Sequence, residues 1–180
     1  IPHPLFESIC QRTYGRQTSV SCYRAMFMNK PAAEGTYLSW HQDRWIDLEP
    51  DPQITIYTAL DPATQKNGCV QLIPGSHRRT LPHVRATEDM GFAEMGDLDY
   101  LDLSQAVDLE MRPGEFILFN ERTVHHSERN RSQKRRMGLA VRLVVPIVKV
   151  LKYDALEHAL VQISGRDPMG FNKVVDPLME

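Results

Sequence analysis

The chain has 180 residues, of which 42% are hydrophobic and 24% are charged, a composition that fits a globular domain with a hydrophobic core and excludes intrinsic disorder. A formal charge of −2 and a pI near 6.4 give no electrostatic reason to expect nucleic acid or an anionic membrane as a partner. No apolar segment approaches the roughly 20 residues that span a bilayer, so we expect a cytoplasmic protein.

In the first half of the chain, segments rich in β-branched and aromatic residues predict strands over residues 20–28, 54–60 and 69–73. Turn residues bound them, because Asp61-Pro62 follows the second segment and Asn67-Gly68 precedes the third. Residues 81–105 have weak periodicity and many acids. We expect them to form a long, partly helical excursion that carries function.

The second half predicts three more strands, over residues 107–111, 115–119 and 136–145, and an amphipathic helix over residues 153–163. At least six short strands with one or two flanking helices predict a mostly β fold, an antiparallel double sheet or jelly-roll barrel. No repeat or flexible linker divides the sequence. We therefore expect residues 1–180 to form a single domain.

The segment Trp40-His41-Gln42-Asp43 contains a candidate pair of metal ligands. Alternate residues of an extended segment point to the same side, so His41 and Asp43 can bind one ion while Gln42 points away. A third ligand would come from a distant strand, where His125 and His126 are adjacent and at most one can point inward. Two histidines and a carboxylate form the facial triad of non-haem Fe(II) oxygenases. The alternative is that both distant histidines are satisfied by hydrogen bonds near the surface.

Arginines on the strand predicted over residues 136–145 are candidates for binding an anionic cosubstrate. A facial-triad oxygenase needs a cation for the distal carboxylate of 2-oxoglutarate, and a guanidinium group suits a carboxylate better than an ammonium does. Arg136, Gly138, Ala140 and Arg142 share one face of this strand. The small residues between the arginines leave room for a small anion, whereas on a solvated strand face they would be poor choices.

Together these motifs resemble the phytanoyl-CoA dioxygenase family of Fe(II)/2-oxoglutarate-dependent oxygenases. The match runs from about residue 23 to residue 145 and includes, in order, Trp40-His41-Gln42-Asp43, Asn67-Gly68-Cys69, Ile73-Pro74-Gly75-Ser76-His77, Pro113-Gly114-Glu115, His125-x-Ser127-x-x-Asn130 and Arg136. The resemblance implies a cupin-like double-stranded β-helix, the jelly-roll barrel. It also implies Fe(II) as cofactor, 2-oxoglutarate as cosubstrate and O₂ as oxidant.

Site residues follow from the same resemblance. It implies that the metal ligands are His41, Asp43 and His125, and that His77 belongs to a structural turn. Arg136 then corresponds to the arginine that binds 2-oxoglutarate, and Tyr57 to an aromatic residue beside it. Arg142 is a further candidate for orienting 2-oxoglutarate or substrate.

The segments around the triad look most like the branch that contains the carrier-protein-dependent chlorinating enzymes. Those enzymes have a small residue in place of the triad carboxylate, so that chloride can coordinate iron. Because Asp43 retains the carboxylate, the resemblance implies hydroxylation of an unactivated C–H bond in specialised metabolism. The substrate would be a small molecule, an amino acid or an acyl group, either free or tethered to a carrier protein or CoA. Family members have a longer N-terminal region, so we expect this part of the usual domain to be missing here.

Three other functions remain open. The same oxygenase chemistry can end in desaturation, epimerisation or cyclisation, depending on how the substrate is placed. A catalytically inactive jelly-roll could act as a binding module. A zinc hydrolase could use the same ligands, but it would lack an assigned general base and leave Arg136 unexplained. We expect substrate contacts within residues 81–105, with His83 and Arg85 as candidates.

Overall fold

The computed structural model describes residues 4–33, 35–43, 48–50, 54–87, 91–151 and 159–176. Within these residues the chain forms one α-helix and fourteen strands, so the predicted mostly β class is confirmed. None of the described helices has the length and apolar character needed to cross a membrane. The elements are α1 (Pro4–Tyr14), β1 (Val20–Lys30), β2 (Leu38–His41), β3 (Leu48–Glu49), β4 (Ile54–Ala59), β5 (Val70–Leu72), β6 (His83–Arg85), β7 (Glu94–Gly96), β8 (Val107–Asp108), β9 (Phe116–Asn120), β10 (His125–Ser127), β11 (Arg136–Val144), β12 (Lys149–Val150), β13 (Leu160–Ser164) and β14 (Val174–Val175).

The six predicted strands are present as β1, β4, β5, β8, β9 and β11, with ends that differ by a few residues. The sequence predicts a helix over residues 153–163. This prediction is wrong for its last residues, because Leu160–Ser164 forms strand β13. Residues 153–158 lie outside the described residues. Backbone pairing with β1 takes precedence there over the helical spacing of the apolar side chains. The 81–105 excursion contains a β6–β7 hairpin followed by two 3₁₀ turns.

The chain divides into two compact units, and strands β1, β4 and β11 contribute residues to both. Unit 1 consists of Ile1–Ala25, Trp45–Thr55 and Val141–Glu180. In it β13 pairs antiparallel with the start of β1 and parallel with β14, and β12 pairs with β3. Its buried core consists of Tyr23, Leu48, Val144, Val148, Val150 and Leu160.

Unit 2 consists of Met26–Arg44 and Ile56–Ala140. Parts of β1, β11 and β4 are neighbours in that order, followed by β9, and the second sheet has the order β2-β10-β5-β8. In the described residues both sheets are open and no strand pairing closes them into a barrel. One buried cluster of this unit contains Tyr57, Ala59, Ala63, Cys69, Val70, Met111 and Ala140, and another contains Trp40, Ile73, Leu81 and Val124.

Lys30 is buried at the end of β1 and holds neighbouring segments of unit 2 together. Its ammonium donates hydrogen bonds to the backbone carbonyls of Thr36 at 2.5 Å, Glu128 at 2.5 Å and Ser127 at 3.1 Å. Burial, reinforced by the nearby charge of Arg136, lowers the pKa of Lys30 to about 7. The lysine therefore fastens β1 to the chain before β2 and to the end of β10.

The turn before β5 brings two backbone segments unusually close together. Gly68 has a φ of +74°, and a Cβ at this position would overlap the carbonyl oxygen of Glu128. Gly75 also has a positive φ, of +77°, but a Cβ there would meet no atom within 4 Å. A comparison of the same substitution at these two glycines therefore distinguishes the cost of a positive φ from the cost of steric overlap.

We expect Gly68→Ala to lower the free energy of unfolding by about 2–4 kcal/mol, since it adds steric overlap to the cost of a positive φ. Gly75→Ala, which adds only the positive-φ cost, should lower it by about 1 kcal/mol. Urea unfolding followed by circular dichroism measures both values. Equal destabilisation by the two substitutions would show that the approach to Glu128 is not sterically restrictive.

Candidate metal centre

Strand β10 lies between β2 and β5, and its register sets the position of two of the predicted ligands. His125 is directly opposite His41 in the antiparallel pair, so the two imidazoles share one face of the sheet with their ring centroids 4.2 Å apart. Asp43 follows the end of β2, where its backbone N–H donates to the carbonyl of Glu121 at 2.9 Å. One ligand atom from each of the three side chains lies within 4.8 Å of the others.

Backbone carbonyls fix the same tautomer for both imidazoles. Nδ1 of His41 lies 2.7 Å from the carbonyl oxygen of Ser39, and Nδ1 of His125 lies 2.8 Å from that of Thr123. Because a carbonyl can only accept, each Nδ1 carries the proton and each neutral ring keeps a lone pair on Nε2. Nε2 of His41 is 3.6 Å from a carboxylate oxygen of Asp43. Two imidazole nitrogens and a carboxylate oxygen thus form a donor set that could hold a divalent metal ion.

His126 is directed away from this cluster, as expected for the neighbour of an inward-pointing strand residue. Its ring stacks on Trp40 with a centroid distance of 3.9 Å, and its Nε2 donates to the side-chain oxygen of Gln71. Burial lowers the pKa of His126 to about 4. It is therefore a neutral, packed side chain at pH 7.

Gln42 points away from the cluster, as predicted, but it has a supporting role that the sequence pattern did not indicate. Its buried amide donates to the carbonyls of Arg79 at 2.7 Å and Arg122 at 2.6 Å, and its side-chain oxygen accepts from the backbone N–H of Leu81 at 2.8 Å. The residue between two candidate ligands is thus fastened to three backbone groups. The one sequence feature that could have indicated this supporting role is the position of Gln42 between two candidate ligands.

Arg136 is 3% exposed, and its hydrogen bonds to the described residues go to neutral groups. Its guanidinium donates to the hydroxyl oxygen of Tyr57 at 2.6 Å and to the carbonyl of Gly68 at 2.7 Å. In the part of the chain that the structure describes, its Nε has no hydrogen-bond partner and no carboxylate forms an ion pair with it. Burial raises the pKa of Tyr57, so the phenol stays protonated.

Gly138 leaves space, as expected for a small residue beside Arg136, but that space is filled by protein. A Cβ at this position would overlap the hydroxyl and ring of Tyr57. The small residue therefore lets Tyr57 reach Arg136. It does not by itself leave a ligand cavity.

The other candidates occupy separate places. Arg142 is buried on the part of β11 that belongs to unit 1, and its predicted role stays a prediction. His77 lies in the 3₁₀ turn Ser76–Arg78, whose Ser76 hydroxyl donates to the carbonyl of Ile73 and accepts from the backbone N–H of Val124. This turn supports the start of β10 through Ser76, and the structural role of His77 stays a prediction. His83 and Arg85 lie on β6, both at least partly exposed.

A mostly β fold that brings together two histidines on paired strands and an aspartate just after one of them is typical of non-haem metal oxygenases. Residues 2–138 match the family described as phytanoyl-CoA dioxygenase (PhyH), and the chain belongs to this family. It is 31% identical over 130 residues to "Phytanoyl-CoA dioxygenase, peroxisomal" of Mus musculus, a match that covers 68% of this chain and 38% of the relative. The chain spans about two fifths of the length of the first curated relatives that it matches.

Solved structures agree with the family and confirm the predicted jelly-roll fold class. The apo structure of the non-heme monooxygenase ThoJ has a TM-score of 0.80 at 23% identity, over 97% of this chain and 63% of that one. CytC3 with Fe(II) and alpha-ketoglutarate has a TM-score of 0.62 at 26% identity, over 88% of this chain and 62% of that one. Enzymes of the family use Fe(II), 2-oxoglutarate and O₂. The predicted placement near the chlorinating branch is consistent with these neighbours.

We expect Gln42→Ala to weaken Zn(II) binding by roughly 10–100-fold, because loss of a supporting hydrogen-bond partner lets a ligand segment move. Gln105→Ala, at an exposed position, is the matched control and should leave the affinity unchanged. Calorimetric titration of Zn(II) into the metal-free protein measures both. An unchanged Kd for a folded Gln42→Ala variant would contradict the supporting role.

Proposed function

We propose that this chain is an Fe(II)- and 2-oxoglutarate-dependent dioxygenase that hydroxylates an unactivated C–H bond. The substrate is a small molecule, an amino acid or an acyl group, free or tethered to a carrier protein or CoA, in specialised metabolism. The cluster of His41, Asp43 and His125 within 4.8 Å is the observation that carries the proposal. The assignment of residues 1–180 to a single dioxygenase domain is part of the same proposal.

The donor set fits Fe(II). His41 and His125 have their Nδ1 protons directed to backbone carbonyls, so each can give an Nε2 lone pair without losing a proton. Asp43 adds one negative charge. Two neutral imidazoles and one carboxylate would hold the ion through one of its faces and would leave the other for cosubstrate and O₂.

Arg136 and Tyr57 suit a carboxylate of 2-oxoglutarate. A buried guanidinium without an acidic partner is costly, and an anionic ligand offsets that cost. The Nε–H of Arg136 has no partner among the described residues, and the protonated hydroxyl of Tyr57 can donate while it accepts from Arg136. These two donors support binding of the cosubstrate carboxylate that does not chelate the metal, and Arg142 remains a second candidate.

Fe(II) with 2-oxoglutarate and O₂ would supply the oxidant: the cosubstrate would lose CO₂ and become succinate with one oxygen atom of O₂, and the other atom would be available for the product. The chain's own residues decide what is oxidised and how. His41, Asp43 and His125 hold the metal, and Arg136 orients the cosubstrate. Asp43 occupies the ligand position that a halide would need, which favours hydroxylation over chlorination.

The metal site can be tested under anaerobic conditions. Fe(II) and 2-oxoglutarate should give the weak visible charge-transfer band of a chelated keto acid with the wild type, and His41→Ala and His125→Ala should abolish it. His77→Ala, a histidine of the supporting turn, is the control and should retain the band. If the wild type showed no band, or if His125→Ala kept it, the assigned ligands would be wrong.

The cosubstrate site can be tested separately from the metal. Arg136→Met should raise the Kd of 2-oxoglutarate at least about 30-fold, as expected for loss of one partner of a buried charge pair. Tyr57→Phe, which loses one hydrogen bond, should raise it roughly 3–10-fold. Arg135→Met is the control, because Arg135 is exposed and pairs with Asp61 on the surface.

Calorimetry on the Zn(II)-loaded protein measures the three affinities for 2-oxoglutarate, and Zn(II) binding itself should stay unchanged. Equal affinities for Arg136→Met and Arg135→Met would remove Arg136 from the cosubstrate site.

A further inference from the structure

His41 contacts two rings, and one of them is exposed. The imidazole of His125 has its centroid 4.2 Å from that of His41, and the ring of Phe92 has its centroid 4.7 Å from it. His125 in turn contacts Phe119, which packs against the core of unit 2. Phe92 is 43% exposed, whereas His41 is only 8% exposed. An apolar surface is therefore open beside a candidate metal ligand.

Close backbone contacts place this ring on His41. Gly91 has a φ of +72°, and a Cβ there would lie 2.8 Å from Leu38 Cδ2 and 2.9 Å from the carbonyl oxygen of Tyr37. Gly96, at the end of β7, approaches the carbonyl oxygen of Trp40, which is 3.2 Å from the position of a Cβ. Only glycine permits both approaches without displacement. The β6–β7 hairpin is thus seated directly on β2, the strand that ends at His41.

Side-chain packing fixes both ends of the same excursion. Leu81, before the hairpin, belongs to a buried cluster with Trp40, and Leu101 and Ala106, after it, pack against that cluster. The position of Phe92 is therefore determined by contacts on both sides. Other large apolar side chains of this excursion are exposed as well, namely Val84, Leu98, Tyr100 and Leu103.

We propose that Phe92 is a substrate-contacting residue that determines specificity: its exposed ring packs against an apolar group of the substrate, aliphatic or aromatic, and holds it beside the metal. The inference rests on the proposed function, because it takes His41 as a metal ligand. It narrows the substrate class to molecules that carry a hydrocarbon portion next to the oxidised carbon. Burial of apolar surface between ring and substrate provides the attraction.

Neutral probes test this contact without occupying the anion site. Benzyl alcohol and n-hexanol are titrated into the protein by saturation-transfer NMR, first metal-free and then with Zn(II) and 2-oxoglutarate, with glycerol as the polar comparison. Both apolar probes should bind the wild type, and glycerol should not. Phe92→Ala and Phe92→Gln should raise the probe Kd about fivefold or more, whereas Phe92→Leu should change it less than about twofold.

Tyr100→Ala is the matched control, since Tyr100 is a more exposed aromatic residue of the same excursion. It should leave probe affinity unchanged. Replacement of Zn(II) by paramagnetic Co(II) should broaden the signals of the bound probe, which locates the probe near the metal.

The proposal is overturned if the wild type does not bind the apolar probes, if Phe92→Ala binds them as well as the wild type, or if Co(II) causes no broadening. It is also overturned if Phe92→Ala weakens Zn(II) binding as much as probe binding, because Phe92 would then only shield His41. Failure of the proposed function has a different signature: the wild type gives no anaerobic charge-transfer band while probe binding still depends on Phe92.

Discussion

The pairing of β10 with β2 and β5 is the constraint on which the candidate site depends. It sets His125 opposite His41, and the register shifts between this pair and Ser127 opposite Leu38. Because side chains alternate across a strand, a slip of one residue would turn His125 away and present His126 in its place. His126 is held on the other side by Trp40 and Gln71, so the wrong register would lose packing and hydrogen bonds as well as a ligand.

Two cations, Lys30 and Arg136, are buried in the same unit of the structure as the candidate site. Lys30 and Arg136 are both almost fully buried, and in the described residues the hydrogen bonds of each go to backbone carbonyls or a hydroxyl. The two positive charges repel each other, and burial together with the charge of Arg136 lowers the pKa of Lys30 to about 7. Loss of the Lys30 proton therefore relieves part of this repulsion. Arg136 cannot lose its proton in this way. Its charge is therefore the one that remains for an anionic ligand, which agrees with its proposed role towards 2-oxoglutarate.

The sequence could predict the candidate ligands because their spacing follows from strand geometry. A His-x-Asp pair on an extended segment and one of two adjacent histidines on another strand require only a period of two residues. The support around them could not be predicted. Gln42 forms hydrogen bonds with backbone groups about 40 and 80 residues away in the sequence. Phe92 contacts His41 because it lies in the β6–β7 hairpin, which the weak periodicity of residues 81–105 did not indicate. Such contacts depend on tertiary structure, which local patterns do not record.

Glycines show the same limit most clearly, because their sequence signal is the absence of a side chain. Gly138 indicated free space beside Arg136, and the structure fills that space with Tyr57. The phenol accepts a hydrogen bond from the guanidinium and keeps its own proton. The space expected to hold a ligand therefore holds Tyr57, whose hydroxyl is a second hydrogen-bond donor, after Arg136, for a ligand. Gly91 and Gly96 act likewise at the other end of the site, where they admit a neighbouring strand and bring Phe92 onto His41. In each place a missing Cβ lets another part of the chain deliver a functional ring, so these glycines shape the site through the residues that they admit.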